Sequence, residues 1–191
     1  MTRVSIVLPA RNESSSLKVL LPAIRRLLPE AELIVVNDGS DDDTASIASH
    51  LGARVVSNPY PKGNGAAIKL GARNASGELL VFMDADGQHV PDDIPRLIEK
   101  LDNGYDMVVG SRDGAGQASR HRGMANAFYN RLASWMVGHE VKDLTSGFRV
   151  VRREKFMEFL YLLPNGFSYP TTITMAFFRA GYSVAYEPIA V

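Results

Sequence analysis

Residues 4–8 read Val-Ser-Ile-Val-Leu, a mostly apolar run that Pro9 closes. A short apolar run bounded by a turn signal predicts a buried strand. From residue 14 the period changes: Leu17, Leu20, Leu21, Ile24, Leu27 and Leu28 recur at helical spacing and predict an amphipathic helix over 14–28. The two periods then alternate. Strands are expected over 32–36, 54–57, 78–83 and 107–110, and helices over 42–51, 64–75 and 91–101. Asp42 and Asp43 give the second helix an acidic first turn, and Pro91 suits the opening of the fourth.

Beyond residue 112 the rhythm breaks. Residues 113–122 are rich in Gly, Ser and Arg without apolar periodicity and predict a loop, followed by a helix over 125–137. A short loop and strand over 143–151, helices over 154–160 and 171–180, and a strand over 184–189 complete the chain. Strand and helix in alternation predict an α/β fold, with a Rossmann-like, mostly parallel sheet flanked by helices. No repeat and no linker divides the 191 residues, so one domain is expected over 1–191.

The 21 basic and 21 acidic residues cancel, so nothing global points to nucleic acid, and an anion site must arise from local clustering. Cysteine is absent, which removes disulfides, thiolate metal sites and a cysteine nucleophile, and suits a reducing cytoplasm. The apolar part of the N-terminus is too short for a signal peptide, and no run approaches the ~20 residues of a membrane span. A soluble or peripheral chain is expected.

Candidate chemistry gathers where the predicted strands end: Arg11-Asn12-Glu13, Asn37-Asp38-Gly39-Ser40, Asp84-Ala85-Asp86 and Ser111-Arg112. Open α/β sheets bind ligands outside the carboxyl ends of their strands. Residues two apart on a strand point the same way, so Asp84 and Asp86 are expected to converge. Two carboxylates together are costly unless neutralised, and a hard divalent ion that also holds a diphosphate is an economical solution. The bland alternative is a solvated Asp-Gly turn. Asp38 on the same sheet edge favours the metal site.

Seven motifs in order carry a resemblance: Val-Leu-Pro-Ala-Arg-Asn-Glu (7–13), Val-Val-Asn-Asp-Gly-Ser-Asp-Asp (35–42), Lys-Gly-Asn-Gly-Ala-Ala-Ile (62–68), Asp-Ala-Asp-Gly-Gln-His (84–89), Asp-Met-Val-Val-Gly-Ser-Arg (106–112), Asp-Leu-Thr-Ser-Gly-Phe-Arg (143–149) and Asn-Gly-Phe-Ser (165–168). The chain resembles the family-two inverting glycosyltransferases of the GT-A fold. Within them it is similar to the polyprenyl-phosphate branch, the dolichyl-phosphate mannose synthase relatives. The resemblance implies a metal-dependent hexosyltransferase moving mannose or glucose from a GDP- or UDP-linked donor to dolichyl or undecaprenyl phosphate.

The resemblance also assigns residues. Pro9, Ala10, Arg11, Glu13, Asp38, Lys62 and Asp84 would hold the donor nucleotide. Asp84, Asp86 and Gln88 would hold Mg2+ or Mn2+, with His89 a structural neighbour. Arg112, Arg122, Arg131, Ser146 and Arg149 would meet the acceptor phosphate, since the arginine fork suits phosphate. Asp86, Arg112 and Asp143 would carry catalysis. Asp143 lies where hydroxyl-using relatives place a base, but a lipid monophosphate is already anionic, so orienting a sugar hydroxyl or an arginine is an equal role for it.

Other readings fit less well. A dinucleotide loop at Lys62-Gly63-Asn64-Gly65 would need a third glycine where Ile68 stands. A haloacid-dehalogenase-type phosphatase carries Asp-x-Asp-Gly on its first strand, followed by Thr rather than Gln88. Sugar nucleotidyltransferases open on a Gly-rich loop, and processive polysaccharide synthases carry Gln-x-x-Arg-Trp; neither pattern is present. A non-catalytic nucleotide-sugar-binding subunit is the remaining alternative. Relatives continue past the last strand into a basic segment, an interface helix and often membrane helices, and this chain ends at Val191. A missing C-terminal segment, a need for a membrane partner subunit and a soluble remnant are the open explanations, and peripheral contact at the cytoplasmic face of a membrane is what the resemblance implies.

Overall fold

The computed structural model describes residues 3–112, 130–135, 138 and 140–190. The first half is a run of strand–helix units: β1 (Val4–Ala10), α1 (Ser14–Leu27), β2 (Glu32–Asp38), α2 (Thr44–His50), β3 (Arg54–Asn58), α3 (Asn64–Asn74) and β4 (Leu79–Phe82). A 3-10 turn at Pro91–Asp93 leads into α4 (Ile94–Asp102) and β5 (Met107–Arg112). Residues 130–135 are helical. Then come β6 (Arg149–Arg152), α5 (Arg153–Glu158), a 3-10 turn at Leu160–Leu162, α6 (Tyr169–Arg179) and β7 (Val184–Ile189). The loop expected at 113–122 and most of the helix expected at 125–137 lie outside the described residues.

The strands form one sheet in the order β3-β2-β1-β4-β6-β5-β7. Every neighbouring pair is parallel except those made by β6, which runs antiparallel to both β4 and β5. Both faces are covered, as parallel sheets require. Ile6, Leu8, Val35 and Val150 face one core with Leu17, Leu21 and Ile24 of α1 and Leu97 of α4. Val7, Val36, Phe82 and Val151 face the other core with Ile68 of α3, Phe156 of α5 and Ile173 of α6.

Two departures from the expected pattern bear on the site. β1 does not stop at Pro9 but runs to Ala10, with Pro9 opposite Val36 of β2. The Val7 carbonyl accepts the Met83 N–H at 3.3 Å, so Val7, and Pro9 two residues on, turn their peptide groups toward β4. Pairing with β4 extends only to Val7↔Phe82, so the N–H that proline lacks costs no ladder bond. The second departure is the reversed β6. Its first residue lies at the edge where the parallel strands end, which delivers the loop 143–148 to that edge.

Candidate active site

The chain from β1 passes to β2 on one side of the sheet, while β4 lies on the other, so β1 marks a switch in strand order. A crevice is expected outside the carboxyl ends there. A cleft of about 390 Å³ occupies the place. Pro9, Ala10, Arg11 and Glu13 form its floor from β1 and the turn that follows. Asp38 enters from β2, Asp84, Ala85 and Asp86 from β4, and Gly63, Asn64 and Ala67 from the start of α3. Phe167 stands at the mouth.

Local hydrogen bonds fix the first two turns against each other. Asn12 adopts φ 59°, donates its N–H to Ser40 Oγ at 3.0 Å and accepts the Asp41 N–H at 2.9 Å. Asp42 accepts N–H groups from Ser14 and Thr44, capping α1 and α2 together. The Thr44 hydroxyl is the main reason its carboxyl falls to a pKa of about 2. Arg11 and Glu13 are thereby held on a stitched frame.

Asp38 is almost fully buried. Its carboxylate accepts from Asn58 Nδ2 at 2.7 Å, the Lys62 N–H at 2.9 Å and the Gly63 N–H at 2.8 Å. A carboxylate has about four acceptor positions, so one remains for a ligand. Lys62 contributes through its backbone, while its ammonium sits 5.1 Å over the Tyr60 ring.

The two carboxylates after β4 flank the buried Ala85 and both reach the cleft. Asp84 is half-buried and accepts from Asn64 Nδ2 at 3.2 Å. A Cβ at Gly147 would stand 2.9 Å from Asp84 Oδ2, so only glycine lets the loop 143–148 lie over this carboxylate. Asp86 is exposed and accepts the Gln88 N–H at 3.0 Å, an Asx-type turn. The bland turn and the open carboxylate are thus both present. Gln88 is exposed, takes part through its backbone and is outside the cleft lining.

These donors suit a hard divalent cation. All are oxygens, and Asn64 Oδ1 is buried without a partner beside the Asp84 carboxylate. Among the described residues no three His, Cys, Asp or Glu side chains cluster into a complete site. An ion here would need further oxygens from a ligand, which is how Mg2+-type ions commonly bind phosphates. His89 is buried against Phe148, ring centroids 5.1 Å apart. Burial lowers its pKa, opposed by Asp84 and Asp86.

Across the loop 143–148, Arg112 at the end of β5 grips Asp143. Its Nε lies 2.9 Å from Oδ2 and its Nη2 3.1 Å from Oδ1, with a further bond of 2.9 Å to Thr145 Oγ1. Asp143 Oδ1 also accepts the N–H groups of Thr145 and Ser146. Burial would raise the Asp143 carboxyl, but the Arg112 bonds outweigh it and hold the pKa below the usual carboxylate value. Asp143 is an anion with its acceptor positions engaged.

Ser146 and Arg149, expected at the acceptor phosphate, are both fully buried and reach no open surface. Arg149 follows the two-residue alternation of β6 and lies on the face of Val151, within the core. Its guanidinium donates to Ser146 O, and to Pro170 O and Thr174 Oγ1 at 3.2 Å each. It holds the loop 143–148 to α6. Arg131 is exposed on the helical residues 130–135, outside the cleft lining, and Arg122 lies outside the described residues.

Asn64, Gly147 and Phe167 are site residues that sequence reasoning quoted inside motifs but gave no role. The small residues in Gly63-Asn64-Gly65 and Ser146-Gly147 were the available signal, since glycine at a strand or helix end marks close backbone approach.

The model of the family described as Glycosyl transferase family 2 matches residues 5–160. The polyprenol monophosphomannose synthase of Mycolicibacterium smegmatis is 28% identical, over 98% of this chain and 76% of its own length. The dolichyl-phosphate hexose transferase of Haloferax volcanii is 31% identical, over 97% of this chain and 81% of its own. The solved glucosyl-3-phosphoglycerate synthase from Mycobacterium tuberculosis, in complex with Mn2+ and UDP-glucose, has a TM-score of 0.79 at 27% identity, covering 100% of this chain and 70% of that one. That structural likeness carries the GT-A fold. On the extent of the family match and of the relatives' coverage, the chain belongs to glycosyl transferase family 2.

Proposed function

We propose that the chain, acting as one catalytic domain, transfers a hexose from a nucleoside diphosphate sugar to a polyprenyl monophosphate, with inversion at the sugar C1. The observation that carries this reading is the bidentate Arg112–Asp143 pair, anchored on the loop 143–148 whose Gly147 lies against Asp84 of the cleft. A hydroxyl acceptor needs a base to take its proton. Asp143 has its pKa held down and its oxygens engaged, which makes it a poor base. An acceptor that brings its own anionic oxygen needs none. The names of the relatives, which act on polyprenyl and dolichyl phosphates, support the same acceptor class.

In this scheme Asp38 and the floor residues Pro9 to Glu13 bind the nucleoside, and Asp84 and Asp86 face the diphosphate. A divalent cation, Mg2+ or Mn2+, would be held by Asp84 and Asp86 and would offset charge on the departing diphosphate. Arg112, fixed by Asp143, orients the acceptor phosphate. A phosphate oxygen lone pair forms the new bond to C1, and the bond from C1 to the diphosphate oxygen breaks with its electron pair leaving on the nucleoside diphosphate. No proton leaves the acceptor. GDP-mannose and UDP-glucose are the favoured donors.

No helix of the described residues is long and apolar enough to cross a membrane. A lipid acceptor would bring the chain to a membrane face, and the exposed Leu132 and Trp135 beside Arg131 suit such contact. A membrane partner subunit would supply further attachment. Incubation with a panel of GDP- and UDP-sugars and polyprenyl phosphate tests the reading. Polyprenyl-linked sugar with equimolar nucleoside diphosphate is expected; release of inorganic phosphate from the lipid would contradict it.

A further inference from the structure

The segments Lys62-Gly63-Asn64-Gly65 and Asn165-Gly166-Phe167-Ser168 lie far apart in sequence and interlock in space. The Ala66 N–H donates to Asn165 O at 3.1 Å. Lys69 Nζ donates to Leu163 O at 2.8 Å and to Asn165 Oδ1 at 2.7 Å. A Cβ at Gly65 would stand 2.1 Å from Pro164 O, and one at Gly63 would stand 2.5 Å from Asn165 O. Both glycines are thus required by backbone contact with residues 164–166.

This contact removes α3 from the role that its glycines suggest. The N–H groups of Lys62 and Gly63 go to Asp38, and that of Ala66 goes to Asn165. Those three donors are occupied by protein and are withdrawn from any phosphate. The turn is a seat for the loop, and the loop ends in Phe167. That ring is 83% exposed, yet Tyr169 two residues later is fully buried and Asn165 two residues earlier is clamped. An aromatic ring held bare between two rigid anchors, in the lining of a cleft that also holds Asp38, is a prepared stacking surface.

We propose that Phe167 stacks on the nucleobase of the donor, and that the seat formed by Gly63, Gly65 and Lys69 positions it there. The proposal rests on the donor reading of the cleft. The planar base is the part of a nucleoside diphosphate that an aromatic face recognises; the diphosphate is not. The ring therefore discriminates nucleotides from bare pyrophosphate.

Calorimetric titration of the full chain with UDP, GDP and inorganic pyrophosphate, each with Mn2+, tests this in the wild type, Phe167→Ala, Phe167→Leu, Phe167→Tyr and Lys69→Met. Phe167→Ala is expected to weaken both nucleotides about 10-fold, the loss usual for one base–aromatic stack, and to leave pyrophosphate unchanged. Phe167→Tyr is expected to retain the affinity and Phe167→Leu to lose it, because a flat ring and not apolar bulk is needed. Lys69→Met, which loosens the seat without touching the cleft, is expected to cost nucleotides a few-fold with the same selectivity. Equal losses for pyrophosphate and nucleotides, or an unchanged nucleotide affinity with a raised acceptor KM, would overturn the proposal. Failure of the wild type to bind either nucleotide would instead overturn the donor reading beneath it.

Discussion

The two sides of the site treat charge in opposite ways. On the cleft side, Asp86 is open to solvent apart from its own turn, and Asp84 receives one side-chain bond from Asn64. On the other side, Asp143 is gripped by Arg112 and by two backbone N–H groups, and Arg149 is sealed in the core. The first arrangement leaves negative charge without a neutralising partner. The second fixes an arginine in place. Parallel strands ending side by side produce the open arrangement; the reversed β6, feeding a tight loop into the same edge, produces the locked one.

Breaking the open side has the largest expected effect. Asp86→Ala should lower Mn2+-dependent affinity for UDP or GDP on the order of 100-fold or more, since an ion ligand supplies several kcal/mol. Calorimetry checks it, and unchanged affinity would remove the donor site from Asp86. On the locked side, Arg149→Ala should destabilise the fold by ~2–4 kcal/mol in urea titration, because it opens a cavity and leaves the buried Ser146 carbonyl without its partner. A change below ~0.5 kcal/mol would mean that the guanidinium is solvated. Gly65→Ala, which forces a methyl group onto Pro164 O, should cost ~1–3 kcal/mol in the same measurement.

The smallest effect is a pH dependence. Asp143 has a folded pKa below its unfolded value near ~3.9, so its contribution to stability is complete above that pH and is lost as pH falls below it. Denaturant midpoints measured from pH 6 down to pH 3 should fall less steeply in Arg112→Ala than in the wild type. Identical acid slopes would contradict the pairing.

The strands and the α1 stripe were legible because apolar period is a local property: Leu17, Leu20, Leu21 and Ile24 are buried as the spacing demands. Asp38, Asp84 and Asp86 were legible as a group because each follows a strand whose carboxyl end faces one edge. The direction of β6 was not, since residue type carries no sign of whether a strand runs up or down the sheet. Pro9 misled because its missing N–H matters only where a neighbouring strand is present. Arg149 read as a phosphate clamp by type, although its alternation with Phe148 and Val150 placed it on the Val151 face. Phe167 gave no signal by itself, since its role depends on a seat a hundred residues away.

In the proposed mechanism the acceptor supplies its own anion and Asp143 positions Arg112 instead of taking a proton. The pH–rate profile of Asp143→Asn with polyprenyl phosphate, set beside the wild type, separates the two roles. General-base catalysis is worth roughly 10²–10⁴-fold. A loss within about 10-fold is expected, from a slackened Arg112, with the shape of the profile unchanged and a limb near pH ~6 that belongs to the acceptor phosphate. A loss of about 10³-fold or more, with an acidic limb that disappears in the variant, would show Asp143 to be the base and contradict that mechanism.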